Sequence, residues 1–354
     1  MATDTFFSKP ALTPERAAFY GRLGERSTAP LWEVLGKLVS PAPAPDTVPV
    51  LWRYDELRPL LMEAGRLLTA EEAERRVLVL ENPGLRGRSQ ATGSLYAGLQ
   101  LILPGETARC HRHVASALRL ILEGRGAYTT VEGERTTMSP GDFILTPSWT
   151  WHDHGNPGDE PVVWLDGLDV PIVNLFDTSF AGHTSPSLQP RPVEEGTSRL
   201  RYGANLLPVD YTPSSSASPV FSYPYSRTRE ALTAMQRTGP LHPCHGAKMR
   251  FVNPATGQHT MPTIAAFMQL LPAGFRGEPY RGTDATVYAI VEGRGATAIG
   301  GVRHEWGPRD VFVVPSWMPV SHAAGEEAVL FSMSDRAAQQ ALGLWREEAP
   351  CAEP

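Results

Sequence analysis

From residue 94 to about 175 the chain alternates short apolar runs with tight polar turns. Runs such as LYAGLQLIL, LRLIL, GDFIL and VVWLDGLDV have strand length, and PGE, EGRG, EGE, SPGD and NPGDEP separate them. This spacing predicts an all-β sandwich or barrel. Helical patterns are few. TPERAAFYGRL puts Thr13 in the N-cap position and Pro14 in the first turn, predicting helix over about 13–38. SPAPAPDTVP then reads as an extended linker. Thr69 and Glu72 make a capping box for TAEEAERR, which leads into VLVL and the first strands. From about 183 to 250 the chain is rich in Pro, Ser and Tyr, with one helical stretch, RTREALTAMQRT, and reads as a connector.

The strand pattern occurs twice. LRLILEGRGAYTTV near 118 is answered by VYAIVEGRGATAIG near 287, and GDFILTPSW near 141 by RDVFVVPSW near 309, at offsets of 168 to 169 residues. Two ordered matches at a nearly constant offset indicate tandem duplication of one β unit. A length of 354 residues, more than one hydrophobic core usually serves, fits two such units. So do 32 glycines and 33 prolines, which punctuate many short strands.

A formal charge of −6, with no basic block, excludes an electrostatic footprint for nucleic acid or anionic membrane and favours a small-molecule partner. No signal-peptide pattern or membrane-length apolar run is present, so the chain reads as cytoplasmic. Cys110, Cys244 and Cys351 lack a C-x-x-C spacing and read as free thiols.

Two histidine pairs carry the candidate chemistry. In a strand alternate residues share a face, so His111 and His113 of HRH point together, as do His152 and His154 of HDH. If the two strands are neighbours on a barrel wall, the imidazoles share one cavity, where three suffice for a metal. Three histidines with an open position suit zinc as well as iron, so spacing alone does not choose the metal. Arg119 shares the parity of His111 and His113, and inside a barrel it needs an anion, such as a substrate carboxylate. Asp166, between apolar residues, needs a buried partner, for which a histidine ligand or Arg119 would serve. Tyr96, Gly98 and Gln100 share one strand face, the glycine marking either a twist or room for an aromatic ring. Arg75, at the end of the capped helix, is either a solvent-facing charge or a second carboxylate clamp. Trp149 and Trp151 read as barrel packing. His242, Cys244 and His245 of HPCH lack a matching distant pair and read as a loop.

Gly105, five residues, His111-x-His113, followed by Gly141, five residues, Pro147, His152 and Asn156, resemble the two motifs of the cupin superfamily. The run from HRHVASALRLILEGRG to HDHGN, with WRYDELRPLL, LYAGLQLILPGE, WLDGLDVPIVN and YPYSRTREAL, closely resembles the gentisate 1,2-dioxygenases and their salicylate and 1-hydroxy-2-naphthoate dioxygenase relatives. The resemblance implies a bicupin: a helical arm and linker (1–75), a metal-binding cupin (76–182), a connector (183–250) and a metal-free cupin (251–354). It implies one Fe(II) per chain on His111, His113 and His152, with Ala117 where many cupins carry a glutamate ligand, and dioxygen as co-substrate. His154, Arg119 and Asp166 would act in catalysis, with Arg75, Tyr96, Gly98 and Gln100 also lining the substrate. The implied reaction opens gentisate to maleylpyruvate in a homotetramer. Salicylate, a 5-substituted salicylate or 1-hydroxy-2-naphthoate are the alternative substrates, and a thiol dioxygenase or a storage bicupin the rival classes. In the second unit Tyr280, Gly282 and Val320 stand where His111, His113 and His152 stand in the first, leaving His322 opposite His154.

Overall fold

The computed structural model describes residues 11–184 and 187–349. The described residues up to Ala44 form one compact unit and those from Pro45 another. In the first, Thr13 caps the helix Pro14–Gly24 by accepting from Arg16 N at 3.3 Å. The helix predicted over 13–38 is broken. Ser27 takes φ 52°, Pro30 is extended, and a second helix spans Leu31–Leu38. The two are tied by Tyr20, whose hydroxyl donates to Glu33 at 2.9 Å.

The second unit holds two tandem β-barrels, each of two facing sheets. In the N-terminal barrel, Tyr96–Ile102, Ala117–Glu123, Phe143–Thr146 and Val162–Leu168 form the back sheet, and Thr107–His113, Tyr128–Val131, Glu134–Thr137 and His152–Gly155 the front. The C-terminal back sheet is Ala265–Leu271, Thr286–Glu292, Val311–Val314 and Ala328–Ser334, and its front Gly295–Ile299, Val302–Trp306 and Val320–Ala323. Matching bulges at Leu122 and Val291 mark the repeat, since each of these residues is skipped in the register against the neighbouring strand.

The barrels stand back to back on a shared core. Leu120, Phe143 and Leu165 from one sheet meet Phe251, Met268 and Phe331 from the other. Phe143 lies 4.5 Å from the Phe251 ring and 5.6 Å from that of Phe331. A Cβ added at Gly167 would collide with Met333, so the sheets meet too closely there for any side chain.

Edge strands are exchanged. Val50–Trp52, ahead of the first barrel, pairs with Val311–Val313 of the second, while Ser222–Tyr223, ahead of the second barrel, pairs with Phe143–Ile144 of the first. A helix follows each. Tyr54–Leu67 starts where Asp310 accepts from Tyr54 N at 2.8 Å, and Tyr225–Thr238 starts where Asp142 accepts from Tyr225 N at 2.8 Å. The first of these helices has no clear sequence signal, because Pro59 lies inside it. The short capped helix appears as Ala70–Ala73, with both capping-box bonds made.

Candidate metal centre

Strand parity alone does not bring the two histidine pairs together; a bulge does. Ala108 pairs with His154, so a regular antiparallel register would set Cys110 opposite His152. One extra residue between Ala108 and His111 shifts the ladder, and His111 pairs with His152 instead. His111, His113 and His152 can then offer ring nitrogens all within 4.8 Å of one another. Their ring centroids are 4.1 to 5.3 Å apart.

The rings are prepared as neutral ligands. Nδ1 of His113 lies 2.6 Å from Ala115 O and Nδ1 of His152 3.0 Å from Thr150 O. A carbonyl only accepts, so these nitrogens carry the protons and leave Nε2 with a lone pair. His152 Nε2 is buried and has no hydrogen-bond partner. Burial, reinforced by the Arg75 charge, pulls His111 down to about 3, and burial also lowers His113 and His152. Three neutral imidazoles, two half-buried and one buried with an orphaned nitrogen, fit a divalent transition metal.

Behind the triad the inner wall carries one cross-strand row, Gly98, Asp166 and Arg119. Arg119 is buried, donates from Nη1 to Thr146 Oγ1 at 2.6 Å and pairs through Nε with Asp166 at 3.4 Å. Asp166 also accepts from Trp164 Nε1 at 3.0 Å. Burial pushes its carboxyl up to about 6 against the pull of Arg119. Of the two partners foreseen for Asp166 the structure selects Arg119. His154 is equally buried, its Nδ1 2.9 Å from Thr129 Oγ1 and its Nε2 3.3 Å from Arg119.

Gly98 leaves room. A Cβ there would stand 2.5 Å from Val77 Cγ1 and 2.9 Å from the Tyr96 hydroxyl, so of the two sequence readings the close approach of an aromatic ring applies. Gln100 is buried one step along the same face, opposite Trp164. Arg75 turns inward. Its Nη2 lies 2.5 Å from His111 Nδ1 and donates to Arg109 O at 2.9 Å. Burial and the Arg119 charge lower it to about 10, so two guanidinium groups face the site. A cavity of about 650 Å³ opens outside them, lined among others by Arg75, Arg109, Cys110 and His111.

One reading changes. Trp149 and Trp151 do not pack inside the barrel: they sandwich Arg112, whose guanidinium carbon is 4.2 and 4.4 Å from their rings, and Trp149 is exposed. Their parity, opposite to His152, places them outward, where a cation replaces the core as partner. Thr129, Thr146 and Val77 were missed, because threonine and valine in a strand carry no signal beyond strand propensity. His242 and His245 stack at 4.5 Å, and no metal-type cluster includes them among the described residues. Cys110 and Cys244 are buried thiols; Cys351 lies outside the described residues.

Comparison with known proteins supplies the remaining findings. Residues 98–169 match the cupin domain family. Gentisate 1,2 dioxygenase 1 of Aquipseudomonas alcaligenes is 56% identical, over 97% of this chain and 99% of its own. A 5-aminosalicylate 1,2-dioxygenase of Comamonas sp is 37% identical over 94% and 90%. Among solved structures, salicylate 1,2-dioxygenase of Pseudoaminobacter salicylatoxidans in its adduct with gentisate superposes with a TM-score of 0.91 at 35% identity, covering 97% of this chain and 96% of the other.

Proposed function

Because the chain belongs to the gentisate 1,2-dioxygenase family of two-barrel cupins, we propose that it opens gentisate between the carboxyl-bearing and adjacent hydroxyl-bearing carbons to give maleylpyruvate, with Fe(II) as cofactor and dioxygen as co-substrate. The observation that carries this reading is the triad of neutral histidines beside two inward-turned arginines. Fe(II) on His111, His113 and His152 would supply a dicationic centre that chelates the carboxylate and the neighbouring hydroxyl and activates dioxygen, chemistry outside the reach of zinc.

The chain's own residues do the rest. Arg119, fixed by Thr146 and Asp166, offers a guanidinium to the substrate carboxylate, a charge-assisted contact that orients the ring. Arg75 adds a second positive charge at the mouth. His154, held by Thr129, presents Nε2 to substrate oxygens and can donate or accept as the ring's charge changes. Gly98 lets Val77 and the Tyr96 hydroxyl close in on the strand, so that Tyr96 and Gln100 form the wall that would face the substrate ring.

Oxygen uptake by Fe(II)-loaded protein tests the proposal on gentisate, salicylate, 5-aminosalicylate, 1-hydroxy-2-naphthoate and cysteine. Gentisate should be opened with one dioxygen consumed per ring, and 3- and 4-hydroxybenzoate, which cannot chelate through adjacent groups, should be inert. Turnover of cysteine with every 2-hydroxybenzoate inert refutes it. The proposal includes a cytoplasmic homotetramer, which mass photometry and fractionation test; no described helix is long and apolar enough to cross a membrane.

A further inference from the structure

The inner wall of the C-terminal barrel has the same row in other residues. Register places Phe267, Ser332 and Tyr288 where the first barrel has Gly98, Asp166 and Arg119. Lys248, opposite Gln269, takes the place of Val77, opposite Gln100. Phe267 and Tyr288 fill what is a substrate wall in the first barrel, and a small chamber remains at the mouth, bounded by Lys248, Tyr280, Asp284, Ser332 and Arg336. Its free volume of about 10 Å³ holds one occupant of water size.

The chamber's charges do not balance. Asp284 is engaged by Arg336, at 3.1 Å through Nε and 3.4 Å through Nη2. The Lys248 ammonium makes no ion pair or hydrogen bond with any described residue. It rests 4.9 Å from the centre of the Phe267 ring and 5.7 Å from that of Tyr288, and those faces attract a cation without neutralising it. Glu347, the other acid whose field reaches it, is solvent-exposed. Burial and repulsion from Arg336 bring the amine down to about 7. Ser332 also lines the chamber; it is 1% exposed, and its Oγ is buried without a hydrogen-bond partner. A buried hydroxyl with no acceptor and an uncompensated ammonium face the same small space.

We propose that this chamber is a halide site, one chloride-sized anion held by Lys248 Nζ and Ser332 Oγ. Positive charge sets the sign of the ligand, two donors supply its contacts, and the volume excludes carboxylates, phosphate and sulfate. The anion takes the structural place that the catalytic machinery occupies in the other barrel, and it stabilises the fold by binding the native state alone.

Bromide is the probe. Crystals of the iron-loaded protein grown in sodium bromide should show an anomalous peak between Lys248 Nζ and Ser332 Oγ, absent in Lys248→Met. In solution, bromide should raise Tm saturably over sodium gluconate at equal ionic strength, by on the order of 1–3 °C. The rise should disappear in Lys248→Met and shrink in Ser332→Ala. Both variants should keep ring-opening activity, since the histidine triad lies in the other barrel; if Lys248→Met fails to fold, Ser332→Ala alone decides. A wild-type chamber without a bromide peak, or an undiminished Tm rise in Ser332→Ala, overturns the proposal.

Discussion

The two barrels share a backbone and differ in a few inward-facing side chains. His111 pairs with His152 across the front of the first; Tyr280 pairs with Val320 across the front of the second, through the same one-residue shift of register. Arg119 and Asp166 become Tyr288 and Ser332, and Gly98 becomes Phe267. One feature survives. His154 bonds Thr129 at 2.9 Å, and His322 bonds Thr297 at 2.9 Å. A bulge, a fold and a histidine–threonine pair are therefore not enough for a metal site. The three histidines and the charged row of Arg119 and Asp166 make the difference.

The comparison breaks most severely at the ligands. His152→Val, which installs the residue of the second barrel, should abolish iron binding and lower activity by at least about 100-fold, since loss of mere ligand partners already costs about 10–100-fold; iron analysis with oxygen uptake measures both. Next comes Arg119→Ala, which should keep the iron and lower kcat/KM by about 10–100-fold, the equivalent of roughly 1.5–3 kcal/mol. Normal kinetics at full iron would show that the guanidinium does not meet substrate.

Gly98→Ala tests the close packing of this wall. The added Cβ must displace Val77 or Tyr96, so stability should fall by about 1–3 kcal/mol and KM should rise. Val77→Ala in the same chain should recover much of both, and no recovery would assign the effect elsewhere. His322→Ala should leave iron content unchanged and cost about 1–2 kcal/mol for the lost bond to Thr297. Iron that follows His322 would reverse the assignment of the two barrels.

The smallest effect is in pH. Burial raises Asp166 and Asp335, one acid in each barrel, to about 6. A carboxyl with a folded pKa above its unfolded value binds its proton more tightly when folded, so its ionisation opposes the fold. It contributes a fall in stability as pH rises from about 4 to about 6 and nothing further above that. Asp166→Asn and Asp335→Asn should each flatten Tm against pH in this window.

The clustering of His111, His113 and His152 was legible because a metal-type motif fixes residue type and spacing together, and the duplication because two ordered motifs recur. The bulge at Arg109–Cys110 was not, since it adds one residue that no motif marks. Thr129 and Thr146 act through hydroxyls that strand propensity already explains. The exchanged edges Val50–Trp52 and Ser222–Tyr223 are too short to show parity, and what fixes them is the neighbouring sheet. Trp149 and Trp151 show the reverse failure, where correct parity was joined to the wrong side of the wall.

The exchange of edges bears on how this chain could evolve. A gene cut between the barrels would yield a first half without Ser222–Tyr223 and its helix, and with Phe143, Leu120 and Leu165 bared to water. A second half would lack Val50–Trp52. The C-terminal barrel does without the histidine triad, carrying Tyr280, Gly282 and Val320 in its place, but its outer face has no such freedom. Selection on the histidine triad of one barrel therefore retains the other barrel too, and a smaller protein is reached only by redesigning the sheet that the lost half used to cover.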